Sequence, residues 1–312
     1  MKTTVIHHSA DYDGLFCREI ARKFLPTDTE FIGWDFADKP LDSSLLHSSE
    51  LVILDLPVDR IFGLQFKDGW ICRGDEQIQP IDRWASSNII WIDHHKSSIE
   101  SHPKDIPGYR IDGVAACRLA WQWFKIGSGP DTTNLPDKSD YIDRKVIEPL
   151  AVRLAGEYDI WDHRGDGDLE FQFGLDCWPN LPWKTLLAPE DAGPTVNHIL
   201  QMGKAAMSCY AKRDADVMKS RSFLVEWEGL KFLALNTARC NSKTFAARDV
   251  PATGHDALMV FYVNDKVWTF SLYHANHRKD LDLSLIAVKH GGGGHRGACG
   301  FTATRPPWQN NL

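Results

Sequence analysis

The sequence predicts an α/β protein: a parallel-sheet N-terminal domain joined by a long helix to a smaller α/β C-terminal domain. Three observations carry that expectation. First, the short runs Thr4-Val5-Ile6, Leu51-Val52-Ile53-Leu54 and Ile89-Ile90-Trp91-Ile92 are apolar throughout or nearly so, as strands buried on both faces are. Second, helical periodicities alternate with these runs, the pattern of βαβ units. Third, each run is followed closely by acids or imidazoles, at the sheet edge where open α/β folds bind ligands.

Composition narrows the functional classes. The 312 residues suffice for two ordinary domains, and 43% of them are hydrophobic, enough for a real core. No apolar run has the length needed to span a bilayer, and Met1-Lys2-Thr3-Thr4-Val5-Ile6 lacks the apolar segment of a signal peptide, so a cytoplasmic protein is expected. The seven cysteines are odd in number and never spaced C-x-x-C, which argues against a disulfide framework or a cysteine zinc site. A formal net charge of −7 does not suit tight binding to long duplex DNA, which needs many phosphate contacts. It is compatible with a small phosphorylated substrate held by local cations.

Taken in order, the first strand leads into a loop, His7-His8-Ser9-Ala10-Asp11-Tyr12-Asp13-Gly14. A helix follows, with Phe16, Ile20 and Phe24 at four-residue spacing, and Pro26 stops it. Asp11 and Asp13 read both as metal ligands and as helix N-caps. Residues 30–34 form a second candidate strand. The third run ends in Asp55-Leu56-Pro57, where Asp55 reads equally as a turn aspartate before proline. Residues 62–84 carry turn signals without a period. The next run ends in Asp93-His94-His95, with no spacer between the acid and the two imidazoles.

Residues 115–124 read as a helix, 127–140 as a polar loop and 143–158 as a second helix that runs into Glu157-Tyr158-Asp159-Ile160-Trp161-Asp162-His163, an aromatic and acidic cluster. Residues 164–194 are Gly-, Pro- and Trp-rich and poorly periodic. A long helix over about residues 194–219 connects the domains. In the second domain, Glu228-Gly229 and Asn264-Asp265-Lys266 are hairpin turns between strand-like runs. A short helix capped by Asp280 or Asp282 ends in His290-Gly291-Gly292-Gly293-Gly294-His295-Arg296-Gly297. There Gly292, Gly293 and Gly294 free the backbone to wrap an anion, and His295 and Arg296 add donors.

The first domain thus offers His7, Asp11, Asp13, Asp55, His94, His95 and Asp159. Strand ends of a parallel sheet share one edge, so residues distant in sequence can converge there. Imidazole and carboxylate ligands without thiolate suit Mn²⁺ or Mg²⁺ better than structural zinc. The set is too large for one ion and fits two ions bridged by a carboxylate, typically about 3.5–4 Å apart, which activate a water and hold a phosphoryl centre.

These residues resemble the DHH phosphoesterase family, named for its Asp-His-His motif. His7-x-x-x-Asp11-x-Asp13-Gly14 is similar to its first motif, Asp55 to its second, Asp93-His94-His95 to its third and Asp159 to its fourth. Gly292-Gly293-Gly294-His295 resembles the motif of the associated C-terminal domain. The ordered set spans nearly the whole chain. The resemblance implies a DHH catalytic domain over residues 1–190, a connecting helix over 191–220 and a substrate-binding domain over 221–312, with the active site in the cleft between. It implies two Mn²⁺ ions, with Mg²⁺ or Co²⁺ as substitutes. His7, Asp11 and Asp55 would hold one ion; Asp13, Asp55, His94 and Asp159 would hold the other. His8 sits beside His7 and is the alternative ligand; the spacing favours His7. Asp93 would orient the site, His95 would donate to a substrate phosphate, and His295 with the glycines would bind substrate. Arg278 is a further phosphate clamp that no motif places.

The implied activity is a phosphodiesterase that converts short oligonucleotides or linear and cyclic dinucleotides to nucleoside monophosphates. The Tyr-Asp-x-Trp context resembles the oligoribonuclease branch. The alternatives are a pyrophosphatase or polyphosphatase and a non-catalytic nucleotide sensor. The expected partner is a short nucleotide, without membrane or stable long duplex, and a homodimer is the assembly to test. Tyr12, Tyr158 and Trp161 are candidates for stacking on a base.

Overall fold

The computed structural model describes residues 2–48, 50–67, 70–80, 89–101, 106–126, 147–163, 165, 167–188, 193–238, 254–275 and 277–308. The chain divides into two compact units, Met1–Gly203 and Lys204–Leu312.

The first unit opens with β1 (Thr3–His8), α1 (Tyr12–Phe24), β2 (Glu30–Trp34), α2 (Leu45–Ser48), β3 (Glu50–Leu54) and α3 (Val58–Phe62). Three short strands follow, β4 (Gln65–Lys67), β5 (Trp70–Arg73) and β6 (Glu76–Pro80), then β7 (Ile89–Ile92). The main sheet is parallel, in the order β2-β1-β3-β7. Its strands are apolar on both faces because both are covered. Val5, Val52, Leu54 and Ile92 pack with Phe16, Cys17 and Ile20 of α1. Ile6, Leu51, Ile53, Ile89 and Trp91 pack with Ile61 and Phe62 of α3. Each such fully buried side chain contributes about 1.5–3 kcal/mol relative to an exposed one.

The strands β4 to β6 make a small antiparallel sheet in the segment where the sequence shows no period. Beyond β7 come α4 (Lys96–Ser101), α5 (Ala116–Ile126), α6 (Leu150–Asp159), α7 (Asp168–Asp176) and α8 (Trp183–Leu186). The expected helix over 143–158 is described from Leu150 onward; Pro149 stands at its N-cap, and residues 143–146 lie outside the described residues. The expected loop over 127–140 also lies outside them. The helix α7 falls in the stretch that reads as poorly periodic. Phe171, Gln172, Phe173, Gly174 and Leu175 are consecutive and all buried, so it has no polar face to create a period. The long helix α9 (Gly193–Arg221) contains the division between the units.

The second unit holds β8 (Ser222–Trp227), β9 (Leu230–Asn236), β10 (Ala257–Asn264), β11 (Val267–His274), α10 (Ser284–Lys289), β12 (Gly293–His295) and β13 (Ala298–Ala303). Its sheet has the order β12-β13-β11-β10-β9-β8, with only β9 and β10 parallel. The turns fall where the sequence places them. Glu228 and Gly229 both have positive φ, as a two-residue hairpin turn of right-twisted strands requires, and Asp265 does so between β10 and β11. Phe232, Met259, Phe270 and Leu272 meet Leu283 and Ala287 of the α10 segment to form this unit's core. Among the described residues no helix is long and apolar enough to cross a membrane.

Candidate metal centre

The order β2-β1-β3-β7 reverses between β1 and β3, so the chain leaves these two strands in opposite directions and opens a crevice at their C-terminal ends. The acids and imidazoles gather there. β1 delivers His8 as its last residue, and Asp11 caps α1, its side chain accepting from the Gly14 amide at 2.9 Å. A Cβ on Gly14 would stand 2.2 Å from the His8 carbonyl oxygen, so only glycine lets α1 start this close to β1. Asp13 points away from its own helix. It accepts from the Ala116 and Cys117 amides at 2.9 and 2.8 Å, where α5 begins, and so positions its carboxylate by capping a second helix. Asp55 follows β3 in the left-handed region, φ 59°, and its amide is bonded to the Ile92 carbonyl. That conformation, uncommon outside glycine, turns the carboxylate into the crevice.

Within this frame three groups of ligand atoms converge, each within 4.8 Å: His8, Asp11 and Asp55; Asp13, Asp55 and His94; Asp55, Asp93 and His95. Asp55 belongs to all three. Its two oxygens divide: Oδ2 is 3.4 Å from Nδ1 of His8, and Oδ1 is 3.4 Å from Nε2 of His94. The same His94 nitrogen lies 3.2 Å from Asp159 Oδ2 and 3.6 Å from Asp13 Oδ2. One ring N–H cannot serve three carboxylates at once. A cation among them can, and it would also relieve the repulsion of the acids.

The donor set fits a divalent cation on a further observation. Nδ1 of His8 and Oδ2 of Asp159 are buried without a hydrogen bond of good geometry, and their near neighbours are the Asp11 and Asp55 carboxylates at 2.9 and 3.4 Å for His8 and the His94 ring at 3.2 Å for Asp159. Such orphaned polar atoms are costly unless a ligand satisfies them. The other His8 nitrogen, Nε2, reaches Asp35 at 3.4 Å. This is the carboxylate–imidazole pairing that fixes a metal-ligating tautomer, here leaving Nδ1 for the ion.

Without an ion the imidazoles must balance the acids. Burial disfavours a charged His8, but Asp11 and Asp55 outweigh it and raise its pKa to about 12. Burial likewise opposes charge on His94, and Asp159, Asp55 and Asp13 overcome it. Burial and the Asp55 charge push Asp13 up to about 7. Asp159 is raised well above the carboxylate range, first by burial and then by Asp13. Asp55 stays well below that range: burial opposes its charge, and the two imidazoles more than compensate.

The structure revises several expectations. β1 continues through His8, so His7 and His8 lie in a strand rather than a loop and alternate to opposite faces. His8 therefore takes the place that spacing assigns to His7. The His7 ring packs beside Gly33 of β2, its Nδ1 bonded to the His8 carbonyl at 2.8 Å, and burial lowers its pKa. Asp93 accepts from His95 Nδ1 at 2.7 Å and from the His94 and His95 amides, so it shapes the turn that presents both imidazoles. Arg278 is paired with Asp256 and Asp280 rather than standing ready as a phosphate clamp.

The glycine run is also more ordered than an anion cradle. Gly291 closes α10 at φ 78°, its amide bonded to Val288 and that of Gly292 to Ala287. Gly293, Gly294 and half-buried His295 form β12 against β13. Gly292 is required by packing, since a Cβ there would stand 2.0 Å from the Gly300 oxygen. Arg296 donates to the Leu281 and Asp280 carbonyls.

Of the aromatic candidates, half-buried Tyr12 is tied to Asp176 and packs against the core, and burial raises its pKa. Trp161 and Tyr158 stand beside His163. Sequence reasoning passed over Asp35 and Phe36, which follow β2. Their only signal is an acid and an aromatic just past a candidate strand.

No family model matches the chain. A curated relative, uncharacterized protein R106 of Acanthamoeba polyphaga mimivirus, is 24% identical over 229 residues, 70% of this chain and 48% of the relative. The chain thus spans about half the length of the curated relative it matches. Solved structures to which the chain shows similarity include a pGpG-specific phosphodiesterase, PggH, from Vibrio cholerae, at 14% identity and TM-score 0.42, covering 97% of this chain and 94% of that one. An exopolyphosphatase-related protein from Bacteroides fragilis matches at 12% identity and TM-score 0.44, over 96% and 86% of the two chains. RecJ in complex with Mn²⁺ from Thermus thermophilus matches at 15% identity and TM-score 0.43, over 96% of this chain and 49% of that one.

Proposed function

We propose that this chain is a divalent-metal-dependent phosphoesterase of the DHH type, acting on the phosphodiester bond of short oligonucleotides or linear or cyclic dinucleotides to give nucleoside monophosphates. One observation carries the reading. Asp11, Asp13, Asp55, His8, His94 and Asp159, from separate segments, meet at one sheet edge with Asp55 shared between the groups. His8, Asp11 and Asp55 would hold one ion; Asp13, Asp55, His94 and Asp159 would hold the second. Bound there, a pair of ions supplies Lewis acidity and a water of lowered pKa to the phosphoryl centre.

The chain's own residues do the rest. Asp55 holds both halves of the site in register through its two oxygens. Asp35 and Asp93 fix the rings of His8 and His95. His95, with Nδ1 held by Asp93, presents Nε2 to a phosphate oxygen. Mn²⁺ is the ion the proposal names, with Mg²⁺ and Co²⁺ as competent substitutes.

The test is incubation of the metal-loaded chain with labelled linear and cyclic dinucleotides. Release of nucleoside monophosphate is expected. Absence of turnover with Mn²⁺, Mg²⁺ and Co²⁺ on all of them overturns the proposal. Orthophosphate released from pyrophosphate, with dinucleotides untouched, reassigns the site to phosphoanhydrides.

A further inference from the structure

We propose that Phe36 is a nucleobase platform: its ring, held at the rim of the metal centre, stacks on a base of the substrate and selects nucleotides over inorganic phosphates. This deepens the function proposed above and rests on it. Phe36 is 43% exposed, so part of its ring is open to a ligand. Its ring centroid lies 5.5 Å from that of His8 and 6.3 Å from that of His95, both edge-on. The ring is therefore beside one imidazole proposed to hold an ion and one proposed to meet the phosphate.

It is also held in place. Trp34 meets it edge-on at 5.6 Å, and the Arg60 guanidinium lies over it at 5.8 Å from the centroid. The backbone of the turn is tied down as well. The Asp35 amide donates to Asp38 Oδ2 at 2.9 Å and the Phe36 amide to Asp35 Oδ1 at 2.7 Å. The Asp38 amide returns to the Asp35 carbonyl, and the Trp34 indole N–H to the Lys39 carbonyl. Asp35 is the residue that also holds His8. One short turn thus orients an imidazole of the metal centre and holds a partly exposed aromatic ring beside it.

The neighbours that hold the ring have already cost it the entropy that a flexible side chain would lose on binding. Every nucleobase offers a π face to such a ring, and each base–aromatic stack is worth about 1–3 kcal/mol. Pyrophosphate and polyphosphate have nothing to stack.

Calorimetric titration of the Mn²⁺-loaded full chain with a nucleoside 5′-monophosphate and with ribose 5-phosphate tests this without turnover. The wild type binds the nucleotide about 5–150-fold more tightly than the sugar phosphate. Phe36→Ala abolishes that preference and Phe36→Tyr keeps it, with Mn²⁺ affinity equal in all three. On dinucleotides, Phe36→Ala raises KM more than it lowers kcat. A nucleotide preference that survives Phe36→Ala overturns the inference, even if dinucleotides are hydrolysed. A preference that depends on Phe36 upholds it, even if the bond cleaved proves to be a different one.

Discussion

Exchanging His7 and His8 separately for alanine tests the residue-level assignment of the centre. Both are buried neighbours in β1, so composition and location are matched and only the direction of the side chain differs. Losing even a residue that orients a ligand typically costs about 10–100-fold in metal affinity, so losing His8, the proposed ligand, is expected to cost about 100-fold or more. At a Mn²⁺ concentration about 100 times the wild-type Kd, binding stabilises the fold by about 2.7 kcal/mol. For a unit of about 200 residues that raises the melting transition by about 5–10 °C. In His8→Ala the same concentration only matches the new Kd, the gain falls to about 0.4 kcal/mol, and the shift shrinks to about 1 °C. His7→Ala removes a buried ring and its bond to the His8 carbonyl, which lowers the metal-free transition by about 1–3 kcal/mol in stability. It keeps the full metal-induced shift. Scanning calorimetry of both variants with and without Mn²⁺ reads all four values. A lost shift in His7→Ala with a normal one in His8→Ala would refute the geometry described for β1.

Three further perturbations address the same carboxylates and the packing of β12. Asp55→Ala removes the carboxylate shared by all three ligand groups, so neither a Mn²⁺-induced transition shift nor monophosphate release is expected; turnover in this variant would contradict a shared carboxylate. In chelated protein the His8 pKa, raised from 6.5 to about 12, gives stability that is complete below pH 6.5 and is lost as pH rises toward 12. The metal-free transition therefore falls between about pH 7 and 9, while the gain from Mn²⁺ grows as protons leave the imidazoles; a metal-free transition that rises over this window counts against the pairing of His8 with Asp11 and Asp55. Gly292→Ala drives a methyl group against the Gly300 carbonyl and costs about 1–3 kcal/mol, visible as a lower denaturation midpoint of the second unit with Mn²⁺ binding intact; an unchanged midpoint would mean that β12 and β13 are not so closely apposed.

The sequence by itself determined the strands of the parallel sheet and where polar chemistry collects. Runs such as Leu51–Leu54 are apolar without alternation, which only a sheet covered on both faces explains, and an acid directly beyond such a run stands at the sheet edge. It also placed the hairpin turns, because Gly229 and Asp265 are residue types that tolerate positive φ between strand-like runs. Tertiary structure decided what local spacing cannot encode. The choice between His7 and His8 turns on whether β1 ends one residue earlier or later, and strand ends are set by pairing with β2 and β3 rather than by composition. Asp13 reads as a cap for its own helix, yet it caps α5, about a hundred residues away, because packing brings that helix N-terminus to it. The glycine run reads as an open loop until β13 appears beside it. Periodicity reports which side of an element is buried; it carries no information about which distant element does the burying.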